Sequence, residues 1–261
     1  MSAPTQIAGP KSKMSHVWEH LPTLPEAFAS LLATVVVALF LLTFVVQPFL
    51  IPSESMEHTL LVGDFLLVNK QIYAPSNGLT RHLLPYRDVE RGDVVVFHYP
   101  EDPKRFLVKR VIGVPGDHLR IEDGHVTVNG TSLDEPYAAF EPAEPNPSRD
   151  NFPARIYTDP NISPTWWRQL QGLTRDGELV IPQGEYFVLG DNRNHSKDSR
   201  FWGLVSRQAI VARPLVIYFS LTRPSSTDVQ QASDDRLGHD RELSARLIGF
   251  ARWKRIFRVV H

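Results

Sequence analysis

The chain has 261 residues, a formal net charge of −1 at pH 7 and no cysteine. The absence of cysteine excludes a disulfide framework, a thiolate nucleophile and Cys-ligated zinc, and the near-neutral charge gives no preference for nucleic acid. The histidines and acids show no His-Glu-x-x-His or comparable spacing, so we expect neither a metal nor another cofactor.

An apolar segment near the N-terminus is the first recognisable element. Residues 27–46 contain no charged side chain, and a helix of this length rises about 30 Å, enough to cross a bilayer. We therefore predict a single transmembrane helix over residues 27–47, ended by Pro48. A buried core helix and a cleavable signal peptide are the alternatives, although the apolar region of a signal peptide is usually only about 7–15 residues long.

The orientation of this predicted helix follows from the flanking charges. Lys11 and Lys13 precede the helix, whereas no Lys or Arg occurs between Gln47 and Asn69. The positive-inside rule then places residues 1–26 in the cytoplasm and the chain after Pro48 on the other side of the membrane.

The residues after the predicted helix favour a mostly-β domain over residues 48–221. Short β-branched runs are separated by Gly, Asp and Pro, and two alternating runs flank Asp123-Gly124, which predicts a hairpin over Leu119–Val128. The proline-rich residues 135–164 cannot form a regular helix or a central strand, so we predict an irregular segment there, with a short helix beginning near Pro164.

Two segments with different compositions end the chain. Residues 222–235 are polar, which predicts a flexible linker. Residues 236–261 alternate basic and apolar side chains. This pattern fits a basic amphipathic helix on a lipid surface, or equally a helix or strand that caps the domain with a solvated basic face.

A serine and a lysine provide the clearest sign of chemistry. Ser53-Glu54-Ser55 follows the predicted helix, and in an extended segment both hydroxyls lie on one side, with Ser55 suited as nucleophile and Ser53 as an oxyanion donor. Lys109 lies in the apolar strand Phe106–Ile112, where burial lowers the pKa of the amine and makes it a usable base. We expect Arg110 to point to the opposite, hydrated face. A lysine that extends to the surface and a polar turn after the helix are the structural alternatives.

A third block, Gly190–Arg200, has the composition of a tight loop. Within it Ser196 is placed to orient the lysine amine. We expect Asp198 and Arg200 to form an ion pair that holds this loop near Lys109.

The three blocks together resemble the bacterial type I signal peptidases. Members of this family carry a Ser-x-Ser-Met block, a Lys-Arg block ending in Pro-Gly-Asp, and a Gly-Asp-Asn-x-x-x-Ser-x-Asp-Ser-Arg block, in this order. The resemblance covers about residues 48–219 and implies Ser55 as nucleophile, Lys109 as general base, Ser53 as oxyanion donor and Ser196 as the orienting residue, supported by Asp198 and Arg200. It also implies a fold of coiled β-sheets with a smaller β subdomain inserted at about residues 118–184.

The resemblance further implies the substrate and the location. The residues that match the family's small S1 and S3 pockets are Phe49, Ile51, Leu60, Leu107 and Val108. The expected partners are signal-peptide-bearing pre-proteins cleaved after small-x-small motifs, membrane lipid and the nearby export translocon, at the bacterial inner membrane. The chain departs from the family at Glu54, usually a small residue, and at His58, usually proline, which leaves the substrate preference near the site open.

Two other functions are compatible with the sequence. His58, His98, His118 or His195 together with a carboxylate could serve Ser55 in a Ser/His/Asp hydrolase. Alternatively, the chain could be an anchored, non-catalytic β-domain that binds secreted chains.

Overall fold

The computed structural model describes residues 24–40, 46–73, 87–222 and 250–260. The predicted cytoplasmic segment, apart from residues 24–26, lies outside this range, as do residues 41–45 of the predicted transmembrane segment and all of the predicted linker except Thr222. The chain divides into two units, Met1–Thr43 and Phe44–His261.

The described part of the first unit is a helix, α1, over Leu24–Phe40. Its 17 residues include Glu26 in the first turn, where a carboxylate interacts favourably with the helix dipole. Residues 25–40 are exposed, and Thr34 Oγ1 donates a hydrogen bond to Ser30 O at 2.9 Å. Among the described residues, no helix is both long and apolar enough to span a membrane.

The second unit is mostly β, as predicted. Its strands are, in chain order, β1 Val46–Leu50, β2 Asp64–Asn69, β3 Val94–Tyr99, β4 Asp102–Gly113, β5 His118–Glu122, β6 His125–Val128, β7 Thr131–Ser132, β8 Thr174–Arg175, β9 Glu178–Val180, β10 Glu185–Leu189, β11 Val205–Ser206, β12 Ile210–Ser220 and β13 Arg258–Val259. Its α-helices are short: α2 Pro147–Asp150, α3 Pro164–Leu173 and α4 Ser199–Trp202. Single 3₁₀ turns cover Glu54–Met56, Arg193–His195, Arg207–Ala209 and Trp253–Arg255.

These strands form two antiparallel sheets. The larger sheet has the order β1-β2-β12-β3-β4-β10-β11, with β13 also paired to β12, and the smaller sheet has the order β7-β6-β5-β9-β8. All strands of the smaller sheet lie between His118 and Val180. The predicted hairpin is β5–β6, and both Asp123 and Gly124 at its turn have positive φ, 49° and 82°, as a tight two-residue hairpin turn requires.

Strand β3 is a central strand of the larger sheet and is buried on both faces. Val95 and Phe97 belong to one apolar cluster and Val94 and Val96 to a second cluster on the other side. Successive side chains of a strand point to opposite faces, so β3 forms the wall between the two clusters. Strand β4 pairs with β3, with Lys109 opposite Val95.

The described end of the predicted amphipathic tail adopts the second alternative, a strand that caps the sheet. Over residues 250–260 the chain forms a bridge between Ala251 and Leu221, a 3₁₀ turn and strand β13. Outside the 3₁₀ turn its backbone hydrogen bonds join it to residues 215–222, and Val260 is buried. Residues 236–249 lie outside the described range.

Candidate active site

Ser55 lies in a 3₁₀ turn, Glu54–Met56, that follows strand β1. Ser53 caps this turn in an extended conformation, with φ −131° and ψ 156°. The extended conformation predicted for residues 53–55 is therefore wrong beyond Ser53, because the chain turns to pack Met56 into the second cluster. The two hydroxyls still lie on the same side, with Ser53 Oγ 3.4 Å from Ser55 Oγ.

Lys109 reaches Ser55 from strand β4. The side chain is buried, with 3% of the residue exposed, and its Nζ forms a hydrogen bond with Ser55 Oγ. Burial lowers the pKa of the amine to about 8, although the carboxylates of Asp198 and Asp191 oppose this shift. A buried amine with this pKa is neutral in a useful fraction of molecules near neutral pH, and its lone pair can then accept the hydroxyl proton.

The third block brings its loop against the Glu54–Met56 turn that contains Ser55. The backbone N–H of Asn192 donates to Ser55 O at 3.2 Å. A Cβ added at Gly190 would lie 2.3 Å from Ser55 O and 2.3 Å from Ser196 Oγ. Only glycine permits this approach, which places the buried Ser196 beside the Ser55 backbone.

Asp198 and Arg200, at the C-terminal end of the third block, are both buried. Arg200 donates to Asp198 from Nε and Nη2, both at 2.8 Å, and also to Arg193 O at 2.8 Å. Asp198 in turn accepts from the Gly190 N–H at 3.1 Å. Burial opposes ionisation of Asp198, but the charge of Arg200 keeps the pKa of this carboxyl below its ordinary value.

Arg110 is part of the site rather than hydrated, which corrects the prediction made from strand alternation. Only 3% of the residue is exposed, and its guanidinium donates to both oxygens of Asp191, at 2.8 and 2.7 Å. It also stacks on Tyr137, with Cζ 4.0 Å from the ring centroid. The bidentate pair ties β4 to the third block directly beside Lys109.

A third ion pair, between Arg193 and Glu135, holds the same loop. Arg193 donates to Glu135 at 2.9 and 2.6 Å and to Gly190 O at 3.1 Å. The sequence shows these charges, but residue spacing gives no sign that Arg193 pairs with Glu135 or Arg110 with Asp191, since each pair joins distant parts of the chain.

The five predicted pocket residues do not all lie together. Ile51, Leu60 and Val108 are buried in the second cluster, and Phe49 packs against it. Leu107 packs against the first cluster, because adjacent residues of a strand face opposite sides.

The histidines considered as alternative bases contact groups other than Ser55. His58 faces Glu141 at 3.8 Å, His195 contacts Pro142 O at 3.3 Å, His98 contacts Pro103 O at 2.6 Å and His118 faces Glu178 at 3.6 Å. Glu54 is exposed. Among the described residues, the basic side chain that forms a hydrogen bond with Ser55 Oγ is therefore Lys109.

Comparison with known proteins assigns the family. A family model for "Signal peptidase, peptidase S26" matches residues 24–219. A signal peptidase I of Pseudomonas fluorescens is 36% identical over 220 residues, covering 78% of this chain and 75% of the relative. One of Aquifex aeolicus is 33% identical over 233 residues, covering 77% and 87%. A crystal structure of a signal peptidase I from Enterococcus faecalis is 29% identical, covering 49% of this chain and 97% of that one, with a TM-score of 0.36. The chain belongs to the signal peptidase family, peptidase S26, whose members are serine endopeptidases.

Proposed function

We propose that this protein removes signal peptides from exported pre-proteins, with Ser55 as nucleophile and Lys109 as general base. The observation that carries the proposal is the hydrogen bond between Lys109 Nζ and Ser55 Oγ, formed where 3% of Lys109 and 7% of Ser55 are exposed. A serine hydroxyl needs a base within hydrogen-bond reach, and burial supplies the base by lowering the pKa of Lys109 to about 8.

In the acylation step, Ser55 Oγ attacks the scissile carbonyl carbon while its proton passes to Lys109 Nζ. The carbonyl oxygen becomes an oxyanion, which accepts hydrogen bonds from Ser53 Oγ and the backbone N–H of Ser55. When the tetrahedral intermediate collapses, Lys109 gives its proton to the leaving amine. The mature protein departs with this amine as its N-terminus, and the signal peptide remains as an ester on Ser55.

In the deacylation step, Lys109 accepts a proton from water, and the resulting hydroxide attacks the ester. The intermediate collapses to the carboxylic acid of the signal peptide, and the departing Ser55 Oγ recovers its proton from Lys109. The acid then loses its proton to water and leaves as a carboxylate. Ser196 is proposed to orient the Lys109 amine during the reaction, although its buried Oγ has no hydrogen-bond partner in the described structure. Asp198 and Arg200 keep the Gly190–Arg200 loop in place, through the ion pair and the Gly190 contact described above.

Substrate selection follows from shallow apolar pockets beside the nucleophile. Ile51, Leu60 and Val108, with Phe49 at the edge, provide an apolar wall on one side of the nucleophile turn, Glu54–Met56. Leu107 lies on the other face of β4 and is not part of this wall. Such pockets accept alanine-sized side chains and exclude larger ones, at about 1–3 kcal/mol per misfit. This discrimination is limited, so we expect the substrate also to bind as an extended strand along the enzyme backbone.

The enzyme is proposed to be anchored in the bacterial inner membrane by the apolar segment that starts at residue 27 and ends before strand β1. The predicted end of the transmembrane helix at residue 47 is wrong, because Val46 and Gln47 belong to that strand and pair with β2. The uncharged run of residues 27–46 and the lysines that precede it support this anchor and a cytoplasmic N-terminus. Residues 48–221 then face the periplasm, next to lipid and close to the export translocon, where signal peptides emerge.

Cleavage of defined precursors tests the function. We expect the full-length protein in detergent to cleave a precursor with Ala at positions −3 and −1 after the −1 residue, as read by mass spectrometry of both products. A matched precursor with Phe at −1 should be cleaved at least about tenfold more slowly, the equivalent of about 1.4 kcal/mol. Equal cleavage of both precursors, or no cleavage of the first, would contradict the proposal. Extraction of cell membranes with alkaline carbonate tests the anchor, since an integral protein stays in the pellet.

A further inference from the structure

The C-terminal segment, residues 250–260, binds the loop that follows the nucleophile turn. This segment lies beyond residues 24–219, where the family model matches. Arg255 in its 3₁₀ turn and Arg252, which precedes that turn, both contact residues 59–64. The contacts join parts of the chain that are 190 residues or more apart in sequence.

Arg255 makes the central contacts. Its Nη2 donates to Asp64 Oδ2 at 2.5 Å and to Thr59 O at 3.0 Å, and its Nε donates to Asp64 Oδ1 at 3.1 Å. The side chain of Arg255 is 11% exposed and that of Asp64 is 0% exposed. A guanidinium fork can hold a carboxylate and a carbonyl oxygen at once, which the single amine of a lysine does less well.

Asp64 also forms hydrogen bonds with another residue of the loop and with strand β12. It accepts from the Leu61 N–H at 2.8 Å and from Ser220 Oγ at 2.6 Å. Burial of Asp64 opposes ionisation, but the hydrogen bonds from Arg255 and Ser220 hold the pKa of the carboxyl below its ordinary value. Arg252 adds a hydrogen bond from Nη2 to Val62 O at 2.5 Å. The loop over residues 59–64 is therefore fixed at several backbone positions.

The loop connects directly to the nucleophile turn. The backbone N–H groups of Thr59 and Leu60 donate to Met56 O at 3.1 and 2.7 Å. Thr59 Oγ1 donates to Asp191 Oδ2 at 2.5 Å, and the next residue, Asn192, donates to Ser55 O. Thr59 is thus held at its carbonyl by the C-terminal segment and at its hydroxyl by the third block, four residues from Ser55.

We propose that Arg255 is a positioning residue for the nucleophile: by binding Asp64 and Thr59 O it fixes the loop that sets Ser55 against Lys109. This proposal rests on the function assigned above to Ser55. A displacement of a reacting group by about 1 Å can reduce turnover about 100-fold. Loss of Arg255 leaves the buried Asp64 carboxylate with Arg252 as its remaining guanidinium partner, at 3.6 Å, so we expect the loop to shift.

Steady-state kinetics of the full-length protein in detergent test the proposal. The variants are Arg255→Gln, Arg255→Lys and, as matched control, Lys254→Gln, which removes the same charge from an exposed neighbour. We expect Arg255→Gln to lower kcat by about 10- to 100-fold while KM stays within about threefold. Arg255→Lys should recover part of kcat, and Lys254→Gln should match wild type. Melting temperature and far-UV circular dichroism are recorded for each variant, and assays are run well below the lowest melting temperature.

The opposing results are distinct. Arg255→Gln with a lowered melting temperature but wild-type kcat would show that the C-terminal segment only stabilises the fold. A loss confined to KM would assign Arg255 to substrate binding instead. If Arg255→Gln does not fold, the kcat of Arg255→Lys decides, since a value equal to wild type overturns the proposal. Ser55→Ala is assayed in parallel: activity in that variant refutes the proposed function itself, whereas an inactive Ser55→Ala with an unaffected Arg255→Gln refutes only the positioning role.

Discussion

The pH dependence of cleavage follows from the burial of Lys109. With a pKa of about 8, the amine is neutral in about one molecule in ten at pH 7, whereas at the ordinary lysine pKa of 10.5 the neutral fraction is about one in 3,000. Burial therefore makes the base form about 300 times more abundant at pH 7. Because kcat/KM reports the ionisation of the free enzyme, it should rise about tenfold per pH unit and level off near pH 8.

The assay measures kcat/KM between pH 5.5 and 10 in detergent, with a precursor that carries no titratable side chain near the cleavage site. The control is the double variant His58→Gln/His195→Gln. We expect its kcat/KM to rise with pH in the same range as that of wild type. A limb near pH 6.5 that disappears in the control would assign the base to a histidine. A limb that continues to rise up to pH 10 would show that burial does not shift Lys109.

Two further predictions concern stability and packing. The pKa of Lys109 is about 8 in the folded chain and near 10.5 in the unfolded chain. Below pH 8 burial of the ammonium therefore costs about 3 kcal/mol of stability, and this cost is lost as the pH rises from 8 to 10.5. Denaturant titration should show Lys109→Met to be more stable than wild type by up to about 3 kcal/mol at pH 7 and not at pH 10.5. Gly190→Ala should lower the free energy of unfolding by about 1–3 kcal/mol and abolish precursor cleavage, because its Cβ would lie 2.3 Å from Ser55 O and Ser196 Oγ. The control Gly172→Ala, where a Cβ meets nothing within 4 Å, should cleave normally. Wild-type activity in Gly190→Ala would contradict the described packing.

Local patterns allowed much of the fold to be predicted from the sequence. The Asp123-Gly124 turn specified the β5–β6 hairpin, because few residue pairs adopt positive φ at both positions. The proline-rich stretch correctly indicated short, irregular elements, with a helix starting at Pro164. Lys109 is buried, as its apolar strand suggested. These features depend on neighbouring residues, which a sequence displays directly.

Long-range pairing accounts for what the sequence could not reveal. Strand alternation placed Arg110 in solvent, but its partner Asp191 lies 81 residues away and draws the guanidinium into the site. The tail pattern allowed either an amphipathic helix or a capping element with a solvated basic face, yet Arg255 is largely buried and binds Asp64 over a separation of 191 residues. Charge pairs between distant elements leave no periodic signature, so basic side chains that are buried and paired look the same in sequence as solvated ones.

The most direct test of the Ser55–Lys109 pair compares precursor cleavage at pH 8 by wild type, Ser55→Ala, Lys109→Ala and the double variant. We predict that each single variant lowers kcat by about 1,000-fold or more, with normal circular dichroism spectra, and that the double variant is no slower than either, because the two groups act as one unit. Cleavage by Lys109→Ala within a few-fold of wild type would contradict the account and place the base elsewhere.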